Sequence, residues 1–158
     1  MDIGLPWQEA AKRDSVWDYS IKVIIDKIPD ERTRNIKGKK FPDANRLLAP
    51  FAVADQKIVY APSWVKNYFE LYEFEWIVFH EVGHIIYNHK YKNPLDEDYI
   101  ADEYAVRLQD RIGFGICVLK KFSNIKMPRT LSKEQIIKVG NGEIQKRIDI
   151  LKRLGLPW

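Results

Sequence analysis

Cysteine is all but missing from this chain: Cys117 stands alone, so no internal disulfide can form. It sits in the apolar run Gly115-Ile116-Cys117-Val118-Leu119, the setting of a buried, inert thiol. No run comes near the ~20 apolar residues that a membrane span needs, and no signal-peptide pattern opens the sequence. These absences lead us to expect a soluble, cytoplasmic protein. A strong charge of either sign is missing too. The net charge of +4 permits contact with nucleic acid or an anionic membrane but argues for neither. Disorder is excluded by what is present. Hydrophobic residues make up 46% and aromatics 13%, enough for one folded domain over residues 1–158 with a core of its own.

The most informative stretch is Trp76-Ile77-Val78-Phe79-His80-Glu81-Val82-Gly83-His84-Ile85-Ile86-Tyr87. It contains H-E-x-x-H, the helical metal-binding signature of zinc peptidases. The apolar flanks contain no proline, which predicts a helix through His84. Four residues at about 100° each stack the rings of His80 and His84 on one face, so two neutral nitrogens can reach one ion. Glu81 is offset by about 100° from His80, beside that ion, where it can take a proton from an attacking water. A Glu between two His in an apolar helix is costly unless something pairs it, and a metal site explains all three together. Gly83 lets another backbone approach. His89 lies five residues past His84, about 140° further round a continued helix, which predicts a surface histidine rather than a ligand.

Residues 5–28 read as an amphipathic helix. Trp17, Ile21, Ile24 and Ile28 form its buried stripe, and Pro29 stops it. The basic stretch at residues 32–40, centred on Lys37-Gly38-Lys39-Lys40, reads as a solvated loop or edge strand. Phe51-Ala52-Val53-Ala54 and Lys57-Ile58-Val59-Tyr60 predict two strands within about 51–60, joined over Asp55-Gln56 as a hairpin. Ser63 can cap a short helix starting at Trp64. The signature helix is expected over about 72–88. Asn93-Pro94 breaks it, and an acidic helix follows over about 95–112. In that helix Asp98 and Asp102 lie at i and i+4 on a face shared with Ala105, which predicts close packing against another helix. Gly113 is expected to end or relax it, with helix continuing over Ile116 to Phe122. Helices are expected within 115–154, with a loop at Met127-Pro128-Arg129-Thr130, a capping box at Ser132 and Gln135 and a turn at Gly140-Asn141-Gly142. Ile144, Ile148 and Leu151 mark one face of the last helix.

Placed in this order, the segments resemble the gluzincin metallopeptidases of the HtpX and CAAX-prenyl-protease type. In size the chain is similar to their small soluble relatives, the minigluzincins. The residues that carry the resemblance are Pro50-Phe51-Ala52-Val53, Lys57-Ile58-Val59-Tyr60, Trp64-Val65, His80-Glu81-Val82-Gly83-His84 and Asp98-Tyr99-Ile100-Ala101-Asp102. Ala105, Leu108, Gly113-Phe114 and Arg147-Ile148 with Leu151 follow at the family's spacing. The family's third metal ligand is a Glu four residues before the Asp of its A-D pair. Asp98 stands there, one methylene shorter. It binds if its helix sits closer; otherwise Glu97 turns inward or a water bridges. The family's His-Pro before R-I is missing, with Gly142-Glu143 in that region, and so are the larger members' membrane spans. A neighbouring pattern, H-E-x-x-H followed by E-x-x-A-N, belongs to the ImmA-like peptidases that act on repressors, and Asp102 stands where their Asn would be.

The resemblance implies a compact α+β, zincin-like domain that holds one Zn²⁺ per chain and hydrolyses a peptide or protein substrate. His80, His84 and Asp98 would bind the metal and Glu81 would be the general base. Asp102 would fix the tautomer of a ligand His. The strand Lys57, Ile58, Val59 and Tyr60 would receive substrate by β-addition along its edge. Two other readings stand beside this one. The first is a metal-binding protein without turnover. The second is a nucleic-acid-associated module using Lys37 to Lys40 and the basic last helix with Lys146, Arg147, Lys152 and Arg153. The apolar tail Leu154-Gly155-Leu156-Pro157-Trp158 either lies in the cleft and makes the protein latent, or packs on the domain elsewhere.

Overall fold

The computed structural model describes residues 14–41, 50–62, 65, 68–89, 93–124 and 142–158. The expected start of the first helix at residues 5–13, the Ser63 and Trp64 cap, the Met127-Pro128-Arg129-Thr130 loop, the Ser132 and Gln135 capping box and Gly140-Asn141 lie outside them. The chain runs α1 (Asp14–Asp26), a 3-10 turn (Glu31–Thr33), β1 (Lys37–Lys40), β2 (Phe51–Val53), a second 3-10 turn (Ala54–Gln56) and β3 (Ile58–Ala61). Four helices follow: α2 (Leu71–Ile86), α3 (Pro94–Gln109), α4 (Gly113–Asn124) and α5 (Glu143–Lys152). This is an α+β domain, with a small mixed sheet at one side of a largely helical body.

The sheet order is β1-β3-β2. β3 pairs in parallel with β1, Val59 opposite Gly38, and antiparallel with β2, Val59 opposite Ala52. This corrects two expectations. Ile58, Val59 and Tyr60 lie in the central strand, whose edges are both taken, and Lys57 precedes the strand in a left-handed conformation (φ 53°). The edge for β-addition is therefore not on this strand. The hairpin is also wider than a two-residue turn. Asp55-Gln56 lacks the left-handed preference that tight hairpin turns need, so the chain passes through the 3-10 turn and reverses at Lys57. The basic stretch does form an edge strand, β1.

α1 packs on β1 and buries Trp17, Ile21, Ile24 and Ile25, with Ile28 buried just beyond its end. The indole N–H of Trp17 donates to the Ala61 carbonyl at 2.8 Å, and its ring stacks on Phe74 of α2 at 4.9 Å. Helix and strand touch at Gly38, where an added Cβ would lie 2.4 Å from Ile21 Cγ2 and 2.5 Å from Ile21 Cβ. The second of these atoms cannot swing away. Gly38→Ala should therefore destabilise the protein by about 1–3 kcal/mol, as overpacking does, measured by urea unfolding.

α2 is buried on every side from Glu73 to Ile85, which makes it the central helix of the body. Its N-terminus carries a capping box between Glu70 and Glu73. α3 ends at Asp110, in a left-handed conformation with φ 58°. Gly113 accordingly begins α4, and helix continues beyond it through Ile116 to Phe122 as expected. The tail docks at that junction. The Ile112 N–H donates to the Pro157 carbonyl at 3.0 Å and the Gly113 N–H to the Trp158 backbone oxygen at 3.1 Å, satisfying donors that a helix start leaves open. Asp98 lies in the opposite end of α3, roughly 15 Å away along the axis at 1.5 Å per residue. The cleft placement of the tail is thus not what the structure has; the tail packs on the domain elsewhere. None of the described helices is long and apolar enough to cross a membrane.

Candidate metal centre

His80 and His84 sit one turn apart in the C-terminal half of α2, with ring centroids 4.7 Å apart and planes at 86°. Their Nε2 atoms approach to 3.0 Å. Asp98 reaches the same point from α3: its Oδ1 is 3.4 Å from His80 Nε2 and 3.2 Å from His84 Nε2. A tetrahedral ion with bonds of about 2.0–2.1 Å sets its ligand atoms about 3.3 Å apart. The three atoms already have that spacing. The short Asp side chain reaches because the two helices touch. An added Cβ at Gly83 would lie 3.2 Å from the Ala101 Cα, so small residues on both helices make up the methylene that Asp lacks.

Glu81 points beside this triangle, its Oε1 3.9 Å from His80 Nε2. His80, Glu81 and His84 each present a ligand atom within 4.8 Å of the others, a group that could hold a metal ion. Glu97 belongs to a different group. It meets His84 and His89 within the same limit and makes no part of the Asp98 triangle.

Asp102 is 1% exposed. Its Oδ1 lies 2.8 Å from His80 Nδ1, and it takes a two-pronged contact from Arg147 of α5, Nε to Oδ2 and Nη2 to Oδ1, each at 2.7 Å. Arg147 also lies 3.9 Å from Asp98. The nucleic-acid reading counts Arg147 among the basic residues of the last helix. It is instead a buried component of the site, and the basic patch loses it. The signal was available: Arg147 falls on the stripe of Ile144, Ile148 and Leu151, all buried. A charge on such a stripe demands a buried partner.

His89 is the second correction at the site. It is 9% exposed, and its Nδ1 lies 2.8 Å from His84 Nδ1. The helix does not continue to it. Asn88 is left-handed (φ 54°), the His89 N–H donates to the His84 carbonyl at 2.8 Å and the Asn88 N–H to the Ile85 carbonyl at 3.0 Å. These two bonds make a Schellman cap, which folds the sixth residue of the motif back onto the first. Asn at residue 88 was the sequence signal, since Asn follows Gly in tolerance for that conformation.

The charges decide what the site can hold. Glu81, Asp98 and Asp102 are buried carboxylates and Arg147 is the one buried cation among them. With both imidazoles neutral, as metal ligation requires, two negative charges remain, and a divalent cation would cancel them. The same field acts on protons. Burial alone would push His80 down, but hydrogen bonds to Asp102 and Asp98 outweigh it and hold its pKa up at about 9. Burial would raise Asp98, yet His80, His84 and Arg147 keep it well below the usual carboxylate range. Burial likewise opposes ionisation of Asp102, and Arg147 and His80 pull it down. His89 goes the other way, lowered by burial and by His84. Spacing, donor types and charge all fit a divalent metal. No family model matches the chain, and it matches neither a curated protein nor a solved structure.

Proposed function

We propose that the protein is a zinc-dependent metallopeptidase of the gluzincin type. His80, His84 and Asp98 are its ligands in this reading, Glu81 is its general base, and a peptide or protein is its substrate. The observation that supports it best is the convergence of two imidazole nitrogens and one carboxylate oxygen at 3.0–3.4 Å, with a further buried carboxylate beside them. Two nitrogens and one oxygen suit Zn²⁺ by ligand type.

A bound ion would supply Lewis acidity, easing deprotonation of the attacking water and polarising the scissile carbonyl. The chain's own residues do the rest. Glu81 receives the water's proton and returns it to the leaving amine. Asp102, held by Arg147 and 2.8 Å from His80 Nδ1, would keep the ring proton there when Nε2 gives its lone pair to the ion. Among the described residues, β2 has a partner on one side only, and it packs against α2. Phe51, Ala52 and Val53 therefore replace Lys57 to Tyr60 as the edge offered to an extended substrate.

Purified protein should carry about one zinc per chain and hydrolyse an unstructured protein such as casein. Chelation should stop the reaction, zinc should restore it, and His84→Ala should carry no metal at all. Hydrolysis that survives complete metal removal would sink this proposal. A second reading draws on burial: His80, Glu81, His84 and Asp98 are at most 7% exposed. In that reading the ion pins α2 to α3 without turnover. It predicts full zinc occupancy, a large fall in melting temperature on chelation and no hydrolysis of any peptide.

A further inference from the structure

Buried histidines that touch each other need an assigned proton. His84 has both ring nitrogens committed, Nε2 toward His80 and Asp98 and Nδ1 toward His89 at 2.8 Å. We propose that His89 is a positioning residue for His84. It accepts the Nδ1–H of His84, fixing both the ring and its tautomer so that the Nε2 lone pair is presented to the site. This rests on the metal reading above. The proton count follows from it: a His84 that binds through Nε2 keeps its proton on Nδ1, so His89 accepts at Nδ1 and carries its own proton on Nε2.

The fold builds this contact in. The Schellman cap at Asn88 brings the residue that follows it over the third residue from the helix end, and an apolar pair commonly meets there. Here the pair is His89 over His84, with rings 5.0 Å apart. The ring of His89 also meets Tyr87, stacked at 5.9 Å and 20°, and Tyr87 meets Tyr104 of α3 edge-on. The two ligand histidines are thus held by different means. His80 leans on a carboxylate braced by Arg147, and His84 leans on a neutral imidazole braced by aromatic rings.

A second metal ion between His84, His89 and Glu97 is the competing use of the same atoms. The 2.8 Å separation of the two Nδ1 atoms is a hydrogen-bond distance, tighter than the roughly 3.3 Å between ligands of one tetrahedral ion. His84 would also have to lose both ring protons to serve two ions. The hydrogen bond is the simpler occupant.

The test uses the full chain, with Zn²⁺ as the probe and two readouts. Zinc affinity is measured by competition with a chromophoric chelator, and the tautomer of His84 by long-range proton–nitrogen NMR on zinc-free protein. His89→Phe keeps a ring in the cap but removes the acceptor. It should weaken zinc by ~10–100-fold and release His84 from the Nδ1–H tautomer, with little change in the melting temperature of the zinc-free protein. His89→Gln, whose amide oxygen can accept the same proton, should recover most of the affinity. An unchanged zinc affinity in His89→Phe, or a His84 protonated on Nε2 in the zinc-free wild type, overturns the proposal. A wild type that takes up no zinc but shows the Nδ1–H tautomer, lost in His89→Phe, supports the contact and overturns only the metal reading beneath it.

Discussion

Glu81→Gln should leave one metal ion per chain in place and lower peptide hydrolysis by ~10²–10⁴-fold, the usual contribution of a positioned acid–base group. The side chain keeps its shape and loses its ability to accept a proton. The three converging atoms proposed as ligands belong to other residues, and Glu81 Oε1 lies 3.9 Å from His80 Nε2, outside their triangle. Metal content and melting temperature should therefore stay near the wild-type values while turnover collapses. Measuring all three on one preparation separates the possible roles. Loss of the metal would make Glu81 a ligand instead, as its membership of the group with His80 and His84 allows. Full activity in the variant would take it out of the mechanism altogether.

What the sequence revealed of this site, and what it hid, divides along helix periodicity. His80, Glu81 and His84 lie within one uninterrupted helix, so a rotation of about 100° per residue placed them correctly. Asp98 and Asp102 were legible as one face of the next helix for the same reason. Periodicity fails where a helix stops. His89 is only five residues beyond His84, yet the left-handed Asn88 turns it inward, and extrapolating the helix sends it to the surface. Pairings across the chain were hidden for another reason. That β3 has β1 on one side and β2 on the other depends on a contact between Lys37 and Ile58 that no local pattern encodes. The edge strand was therefore misassigned. Arg147 shows the second limit alone. It falls on the buried row of Ile144, Ile148 and Leu151, so its burial is legible from periodicity, but its partner Asp102 lies on another helix and no local pattern names it.

Asp102→Asn should have the largest effect on stability and should weaken metal binding as well. Asp102 could have been an ordinary helix-dipole charge, worth only ~0.3–1 kcal/mol near a helix start. Its position argues against that: it lies beyond the first turns of α3, at 1% exposure, between His80 and Arg147. Asn keeps an oxygen beside His80 Nδ1, but it cannot neutralise the guanidinium. Arg147 is then left buried without its main partner, and breaking a buried pair from one side costs about 3–5 kcal/mol. For a domain of this size that is a fall in melting temperature of roughly 10 °C. The same surplus positive charge opposes a divalent cation, so zinc affinity should drop by at least the ~10–100-fold typical of lost outer contacts. Arg147→Met in the same chain supplies the decisive control. With both charges removed, no buried ion is left unpaired, and the double variant should be more stable than Asp102→Asn alone. Its zinc affinity should also recover in part, since the cation no longer faces an unbalanced guanidinium. Additive losses across this cycle, in stability and in zinc binding alike, would mean that Asp102 and Arg147 act independently and that the ion pair does not organise the site.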